Sequence, residues 1–125
     1  MDSPLEYPWE YYEFIRLYNE GDYYEAHEVL EDLWIMEVPP LKDFYKGLIQ
    51  AAAAILLWER KRLGGARRMF HSACKILDSY PDKYQGIELR EFLLQYRTYF
   101  DPLVKSANGS CEMPNRELIP ALRIT

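Results

Sequence analysis

The chain has 125 residues, 49% of them hydrophobic and 28% charged, as in ordinary globular proteins with one buried core. Its formal net charge of −5 argues against a generic nucleic-acid coat, which needs a broad basic face to displace counterions from phosphates. The two cysteines, Cys74 and Cys111, lie in no CxxC pair or His/Cys cluster, so the sequence favours a reducing, cytoplasmic compartment and predicts no metal or cofactor. The acidic N-terminus is not a leader, and the longest apolar stretch, interrupted by Gln50, falls short of the roughly 20 residues that cross a bilayer, so we expect no membrane partner.

Proline and glycine residues divide the sequence into five predicted helices. We expect them at residues 9–20, 23–37, 41–62, 66–80 and 86–107. Asp22 is the expected N-cap of the second helix, with Glu25 completing a capping box. The pair Gly64-Gly65 is expected to separate the third and fourth helices, and Pro102 to bend or break the fifth. No segment alternates with period 2 between hairpin turns, so we predict no sheet, and residues 108–125 are expected to form an irregular tail to a single domain at 1–107.

The third predicted helix differs from the others because its apolar residues leave no polar face. The segment from Leu48 to Trp58 is alanine-rich and apolar on every side, which is typical of a helix surrounded by other helices. We therefore predict an all-α bundle of about five helices with this helix at its centre and residues 48–57 almost wholly inaccessible. Small residues before the second and fourth helices give the bundle a loose likeness to helical-repeat proteins.

Two segments of the sequence resemble the family called domain of unknown function 309. They are residues 21–34, with the run His-Glu-x-x-Glu-x-x-Trp at 27–34, and residues 46–53, with Gly-Leu-Ile-Gln at 47–50. The resemblance extends over about residues 18–77 and implies a compact all-helical domain, with no established activity, substrate or cofactor. The sequence departs from the family in the turn before the fourth helix, where the family's Gly-Asn is absent. We take as candidate binding residues His27, Glu28, Glu31, Trp34, Lys46 and Gln50.

His27, Glu31 and Gln50 form a predicted polar cluster. His27 falls within the apolar stripe of the second helix, facing the core, and Glu31 follows it by one turn. Gln50 is a polar residue in the middle of the central helix, and a buried amide needs hydrogen-bond partners. We expect the three side chains to satisfy one another between the second and third helices. If the cluster is a structural network, we expect His27→Ala to lower the free energy of unfolding by on the order of 2–4 kcal/mol.

Two other interpretations of this cluster stay open. His27, Glu31 and Gln50 are also the candidate catalytic residues, with Glu31 orienting His27 as a general base. A metal site is the weaker alternative, because the sequence has no HExxH or ExxH pair and His71 falls on the outer face of its own helix.

A second candidate site is a basic turn between the third and fourth helices. Its cations either complement the end of a helix or bind an anion, helped by free N–H groups at the next helix N-terminus. Substituting glutamate for two of them, Arg67 and Arg68, is expected to leave the melting temperature nearly unchanged. The anion candidates are Arg60, Lys61, Arg62, Arg67 and Arg68.

The leading functional hypothesis is a non-enzymatic binding or scaffolding module with a protein or small-molecule partner; a homo-oligomer stays open. An enzyme using His27 and Glu31 on a small polar substrate is the alternative, followed by an anion or nucleic-acid binder through the basic turn. An accessible cavity touching His27 would favour the enzyme, whereas an exposed apolar patch beside a filled core would favour the binding module. Glu25, Glu28 and Asp32 point away from the apolar stripe of the second helix. They form either a solvated face or a functional acidic patch.

Overall fold

A computed structural model describes residues 6–106 and 111–125 of the chain. These residues form a helical bundle with one small hairpin, which confirms the all-α prediction. The elements are α1 Trp9–Asn19, α2 Tyr23–Met36, α3 Leu41–Glu59, α4 Leu63–Leu77, β1 Lys83–Tyr84, β2 Ile87–Glu88, α5 Leu89–Lys105 and a 3-10 helix at Arg116–Leu118. Within this part of the chain, every helix is too short or too polar to span a membrane.

The central helix is α3, as predicted, with α2 packed on one side and α4 on the other. The buried core is entirely hydrophobic, and the described residues include no buried polar or charged residue. The prediction that residues 48–57 are almost wholly inaccessible is wrong along one line. Gln50, Ala53, Leu56 and Leu57 are partly exposed, and the exposed Lys46 continues the line by one turn. Since these positions are three or four residues apart, they form a single stripe that no neighbouring helix covers fully.

The boundary between α3 and α4 lies earlier in the sequence than predicted. The chain leaves the α3 helix after Glu59 and turns at Lys61, whose φ of 60° is in the left-handed region. Helix α4 begins at Leu63, so Gly64 and Gly65 lie in its first turn instead of breaking the chain. At Gly65 a Cβ would lie 3.3 Å from Leu57 Cδ1, so the missing side chain lets the first turn of α4 approach α3.

A short hairpin precedes α5, so the prediction of no sheet is wrong. Strands β1 and β2 are antiparallel, with Tyr84 opposite Ile87. The turn between them is Gln85-Gly86, with φ values of 48° and 76°. A type I′ turn requires positive φ at both of these positions. Two-residue strands are too short to show alternation, which is why the pattern gave no signal. Helix α5 also continues through Pro102 to Lys105.

The C-terminal residues 111–125 lie against the helices. Leu122 is buried, and Asn19 makes two hydrogen bonds to its backbone, one to the N–H and one to the carbonyl. Ile124 forms a bridge with Ile87 of the hairpin. Further hydrogen bonds run from Trp58 to the Cys111 carbonyl, from Tyr99 to the Pro114 carbonyl and from Tyr18 to the Pro120 carbonyl. The predicted end of the last helix at Ala107 lies outside the described residues.

Candidate functional site

His27 and Glu31 are in contact on α2, but the pair lies at the surface instead of in the core. Their Nε2 and Oε2 atoms are 3.3 Å apart, with side chains 28% and 47% exposed. His27 Nδ1 lies 3.2 Å from the Tyr24 carbonyl. The buried line of α2 runs through Tyr23, Ala26 and Leu30, and position 27 falls beside that line at the helical rotation of about 100°. The imidazole is therefore partly solvated, and both of its nitrogens already have contacts on α2.

Gln50 does not join this pair, so the predicted three-membered network is not formed. Its Oε1 atom is shielded from solvent and accepts no hydrogen bond from the described residues. Trp34 Nε1 on α2 is likewise shielded from solvent and donates no hydrogen bond to the described residues. An unpaired buried polar atom costs about 1–3 kcal/mol. The contact between α2 and α3 thus contains one unused donor and one unused acceptor.

Lys42 is a member of this region that the sequence reasoning missed. Its Nζ donates a hydrogen bond of 3.0 Å to the Trp34 carbonyl at the end of α2. The same Nζ lies 4.7 Å from the centroid of the Trp34 ring, as in a cation–π contact. The sequence did contain a signal for this contact. Lys42 lies in the first turn of α3, directly after the short Pro39-Pro40 connection from α2. We use the name polar seam for six residues of α2 and α3, among which His27 contacts Glu31 and Lys42 contacts Trp34: His27, Glu31, Trp34, Lys42, Lys46 and Gln50.

The geometry of the polar seam offers little support for catalysis by His27. Five surface cavities, of about 380 to 720 Å³, involve described residues, and His27 lines none of these five. His71, the other histidine, is exposed on α4. No group of three or more His, Cys, Asp or Glu residues within 6–106 and 111–125 is placed to hold a metal ion. His27 and Glu31 could still exchange a proton with a ligand at the surface.

The other side of α2 borders a groove against α1. The groove has a volume of about 440 Å³, and we call it the acidic groove. Glu28 of the candidate binding set lies here, away from Trp34 and Gln50. Glu31 lines the groove as well as pairing with His27, so α2 connects the two regions. The lining residues are Trp9, Glu13, Leu17, Glu25, Glu28, Val29, Glu31 and Asp32.

Four large apolar side chains are exposed around the start of α1 and the end of α2. Trp9 is 63% exposed, Ile35 60%, Met36 85% and Val38 67%. We call these four residues the apolar edge. Sequence reasoning missed this surface, although Ile35 and Met36 fall outside the apolar stripe of α2, which was a usable signal. Such side chains in one region are typical of a contact surface.

The basic turn is partly occupied by internal contacts. Arg67 donates from Nε to the Leu103 carbonyl and from Nη2 to the Ser106 carbonyl, both at 3.1 Å, so it caps the end of α5. The Arg60 guanidinium lies 5.8 Å from the centroid of the Tyr24 ring. The side chains of Lys61, Arg62 and Arg68 are exposed. Arg67 is therefore much less available to an anion than its neighbours.

The polar seam and most of the acidic groove lie in a segment that is similar to a known family. The model of the family described as Domain of unknown function (DUF309) matches residues 11–69, as the resemblance of the sequence predicted. An uncharacterised protein of Aquifex aeolicus (strain VF5) is 33% identical over 75 residues, 59% of this chain and 22% of that protein. The uncharacterised protein YpuF of Bacillus subtilis (strain 168) is 34% identical over 76 residues, 58% of this chain and 43% of YpuF. The matched region thus spans less than half of either relative.

Proposed function

Residues 11–69 of this chain match the model of the DUF309 family, and we propose that this segment is a non-catalytic module that binds another protein through α2. The observation that carries this proposal is the apolar edge. Its side chains are not left over from a poorly filled interior, because the buried residues already form one hydrophobic cluster spanning all five helices. Exposing large apolar side chains opposes solubility, so a surface of this kind is favourable only where a partner covers it.

The position of the apolar edge supports recognition by α2. Ile35 and Met36 lie in the last turn of α2, and Val38 follows in the connection to α3. The neighbouring acidic groove adds charged residues around this apolar surface, as in protein interfaces with an apolar centre and a polar rim. By contrast, His27 lines none of the five cavities described above, whereas a general base acting on a small substrate needs a site that excludes water.

The test compares two exposed apolar pairs in the full chain. Ile35→Asp with Met36→Asp changes the apolar edge, and Leu94→Asp with Val104→Asp changes exposed apolar positions on α5. Proteins cross-linked to the chain in its native host are identified, and each is then purified and mixed with the chain in size-exclusion chromatography. We expect a complex that the first pair abolishes and the second pair preserves. A complex that survives both changes, or that the α5 pair abolishes instead, contradicts the proposal.

A second candidate function is recognition of a small polar ligand at the polar seam. The observation that favours it is that the Trp34 Nε1–H donor and the Gln50 Oε1 acceptor have no partner among the described residues; because both atoms are shielded from solvent, binding requires their side chains to turn outward. An amide offers both complementary groups, a carbonyl to accept and an N–H to donate. Lys46 adds an exposed cation on the same stripe of α3 as Gln50.

N-methylacetamide is the simplest probe for this second function. Titration followed by NMR should shift the indole N–H signal of Trp34 saturably. The indole of Trp58 is the internal control, because its N–H already donates to the Cys111 carbonyl at 2.9 Å. Gln50→Leu should weaken the response of Trp34. Equal, unsaturable shifts of both indoles would show a solvent effect and no site.

A further inference from the structure

We propose that the acidic groove between α1 and α2 binds a basic amphipathic helix of a partner protein. This inference rests on the proposed function as a protein-binding module, and it specifies the chemistry of the partner. It uses the side of α2 that faces α1, whereas the polar seam uses the side that faces α3.

The first observation is a row of carboxylates on α2. Glu25, Glu28 and Asp32 are exposed, line the groove and form no ion pair with any described residue. Their spacing of three and four residues places them on one face of the helix, where like charges destabilise a helix by about 0.2–0.5 kcal/mol per pair. Of the two other carboxylates of the groove, Glu13 is paired with Arg16, and Glu31 contacts the His27 imidazole. The row is thus the part of the groove whose negative charge is not compensated within the fold.

The second observation is the apolar surface inside and beside the groove. Leu17 of α1 and Val29 of α2 line it and are half-buried. Trp9 lines it too and is largely exposed, so it joins the groove to the apolar edge. A groove with an apolar lining and a charged margin is the surface that an amphipathic helix recognises, through anchors spaced by three or four residues.

Charge complementarity selects the occupant. The carboxylate row repels the phosphates of nucleic acids and attracts lysine or arginine. A second copy of this chain is a poor partner, because each copy carries a net charge of −5. Its exposed cations at Arg60 to Arg62 lie in a turn, and those on α4, Arg68 and Lys75, are seven residues apart, unlike the three- and four-residue spacing of the carboxylates. A separate helix with cations spaced as the carboxylates are, and with apolar residues beside them, matches both features of the groove.

The probes are three synthetic peptides of about 18 residues, a length at which an isolated helix can begin to form. One places lysine and leucine on opposite faces of a helix, the second has the same composition in scrambled order, and the third has glutamate in place of lysine. Titration of each into the full chain, followed by calorimetry, should show saturable binding of the first peptide alone. Raising the salt concentration about tenfold should weaken this binding, since exposed charges are screened.

Two pairs of matched variants locate the binding. Glu28→Gln with Asp32→Asn removes two charges of the row and keeps the side-chain shapes, and Asp43→Asn with Glu117→Gln removes two exposed charges elsewhere. We expect the first pair to weaken binding of the lysine peptide about tenfold. This is the effect of losing two ion pairs near the upper end of their usual strength. The second pair should change the affinity less than about twofold, as distant charges are screened.

Several results would overturn the inference. Equal binding of the ordered and scrambled peptides, or equal loss in both variant pairs, would show unspecific charge attraction. Self-association of the chain that is lost in Glu28→Gln with Asp32→Asn would identify a second copy as the occupant. If no peptide binds while Ile35→Asp with Met36→Asp still abolishes a native complex, the groove is not the basic-helix site and the proposed function stands. If neither experiment shows binding, both proposals fail.

Discussion

Gly47 of α3 lies against Leu77 of α4 so closely that a Cβ on Gly47 would come within 2.7 Å of Leu77 Cδ2. Leu77 is fully buried, so its side chain has no free space into which it could move. Ile76 Cγ2 is also only 3.0 Å from the same position. The absence of a side chain at residue 47 therefore determines how near the two helices approach.

Gly47→Ala should destabilise the protein even though alanine favours helix formation. The added methyl group overpacks the contact with Leu77, which typically costs about 1–3 kcal/mol. Gly64→Ala is the matched control, because a Cβ there meets only Arg68 Nη1 at 3.5 Å, and alanine should stabilise the helix by up to about 1 kcal/mol. Urea denaturation measures both changes. A neutral or stabilising Gly47→Ala would contradict the close packing of α3 and α4.

The sequence predicts the helices of this fold well, because apolar residues at three- and four-residue steps depend only on local geometry. It predicts the α3–α4 boundary less well. Gly64 and Gly65 suggest a break, but the missing side chain of Gly65 serves close packing against Leu57, and the left-handed residue is Lys61. The hairpin at Gln85-Gly86 could not be predicted from strands of two residues each.

The candidate site was predictable only in part. The His27–Glu31 contact follows from the four-residue spacing along one helix. Whether His27 is buried depends on how α2 is rotated against α3, and a change of one position, about 100°, separates it from Ala26 in the core. The Lys42–Trp34 contact joins two helices across a connection, and its geometry is set by tertiary packing.

Trp34→Phe and Trp58→Phe should have opposite effects on the free energy of unfolding. In Trp34 the change removes a buried N–H that has no partner among the described residues, so stability should be unchanged or slightly higher. In Trp58 it removes the hydrogen bond to the Cys111 carbonyl and leaves that acceptor without its donor, which should cost about 1–2 kcal/mol. Trp58 is buried and Trp34 is partly exposed, so Trp58→Phe also loses more packing. A large loss in Trp34→Phe would mean that its N–H has a partner in solution.

His27→Ala should cost less than about 1 kcal/mol, which is below the range expected for a buried network. The imidazole and the Glu31 carboxylate are both partly exposed, and exposed ion pairs contribute about 0–1 kcal/mol. Chemical denaturation at neutral pH measures the change, with Glu31→Gln as the companion variant that keeps the side-chain size. A loss above about 2 kcal/mol would place His27 in the core after all.

Arg67→Ala should destabilise the protein, whereas Arg68→Ala should not. Arg67 donates two hydrogen bonds to carbonyls at the end of α5, and charged donors of this kind contribute about 1–3 kcal/mol. Arg68 is exposed, and surface substitutions usually stay within about 0.5 kcal/mol. We therefore keep the expectation of a nearly unchanged melting temperature for the substitution of Arg68 alone. Equal melting temperatures of the two alanine variants would contradict the capping role of Arg67.

The protein should lose stability in alkali because its tyrosines are buried. Burial, with a smaller contribution from Glu37, raises the pKa of Tyr45 from 10.0 to about 12. A group whose pKa is higher in the folded state gives a stabilisation that is complete below its unfolded pKa and is lost as the pH rises through the folded value. The loss should therefore begin near pH 10 and continue to about pH 12. Burial likewise raises the pKa of Tyr99 to about 12 and that of Tyr18 and Tyr96 well above 10.0.

Tyr45→Phe isolates one of these groups, since no hydrogen bond of the Tyr45 hydroxyl was found with the described residues. Its stability at pH 8 should be close to that of the wild type, because the ring and its packing remain. Between about pH 10 and pH 12 its free energy of unfolding should fall less steeply, since the chain then has one buried phenol fewer to ionise on unfolding. Urea titrations at several pH values measure the two slopes, and tyrosinate absorbance reports when ionisation occurs. Identical slopes for both proteins would mean that Tyr45 ionises equally in the folded and unfolded states.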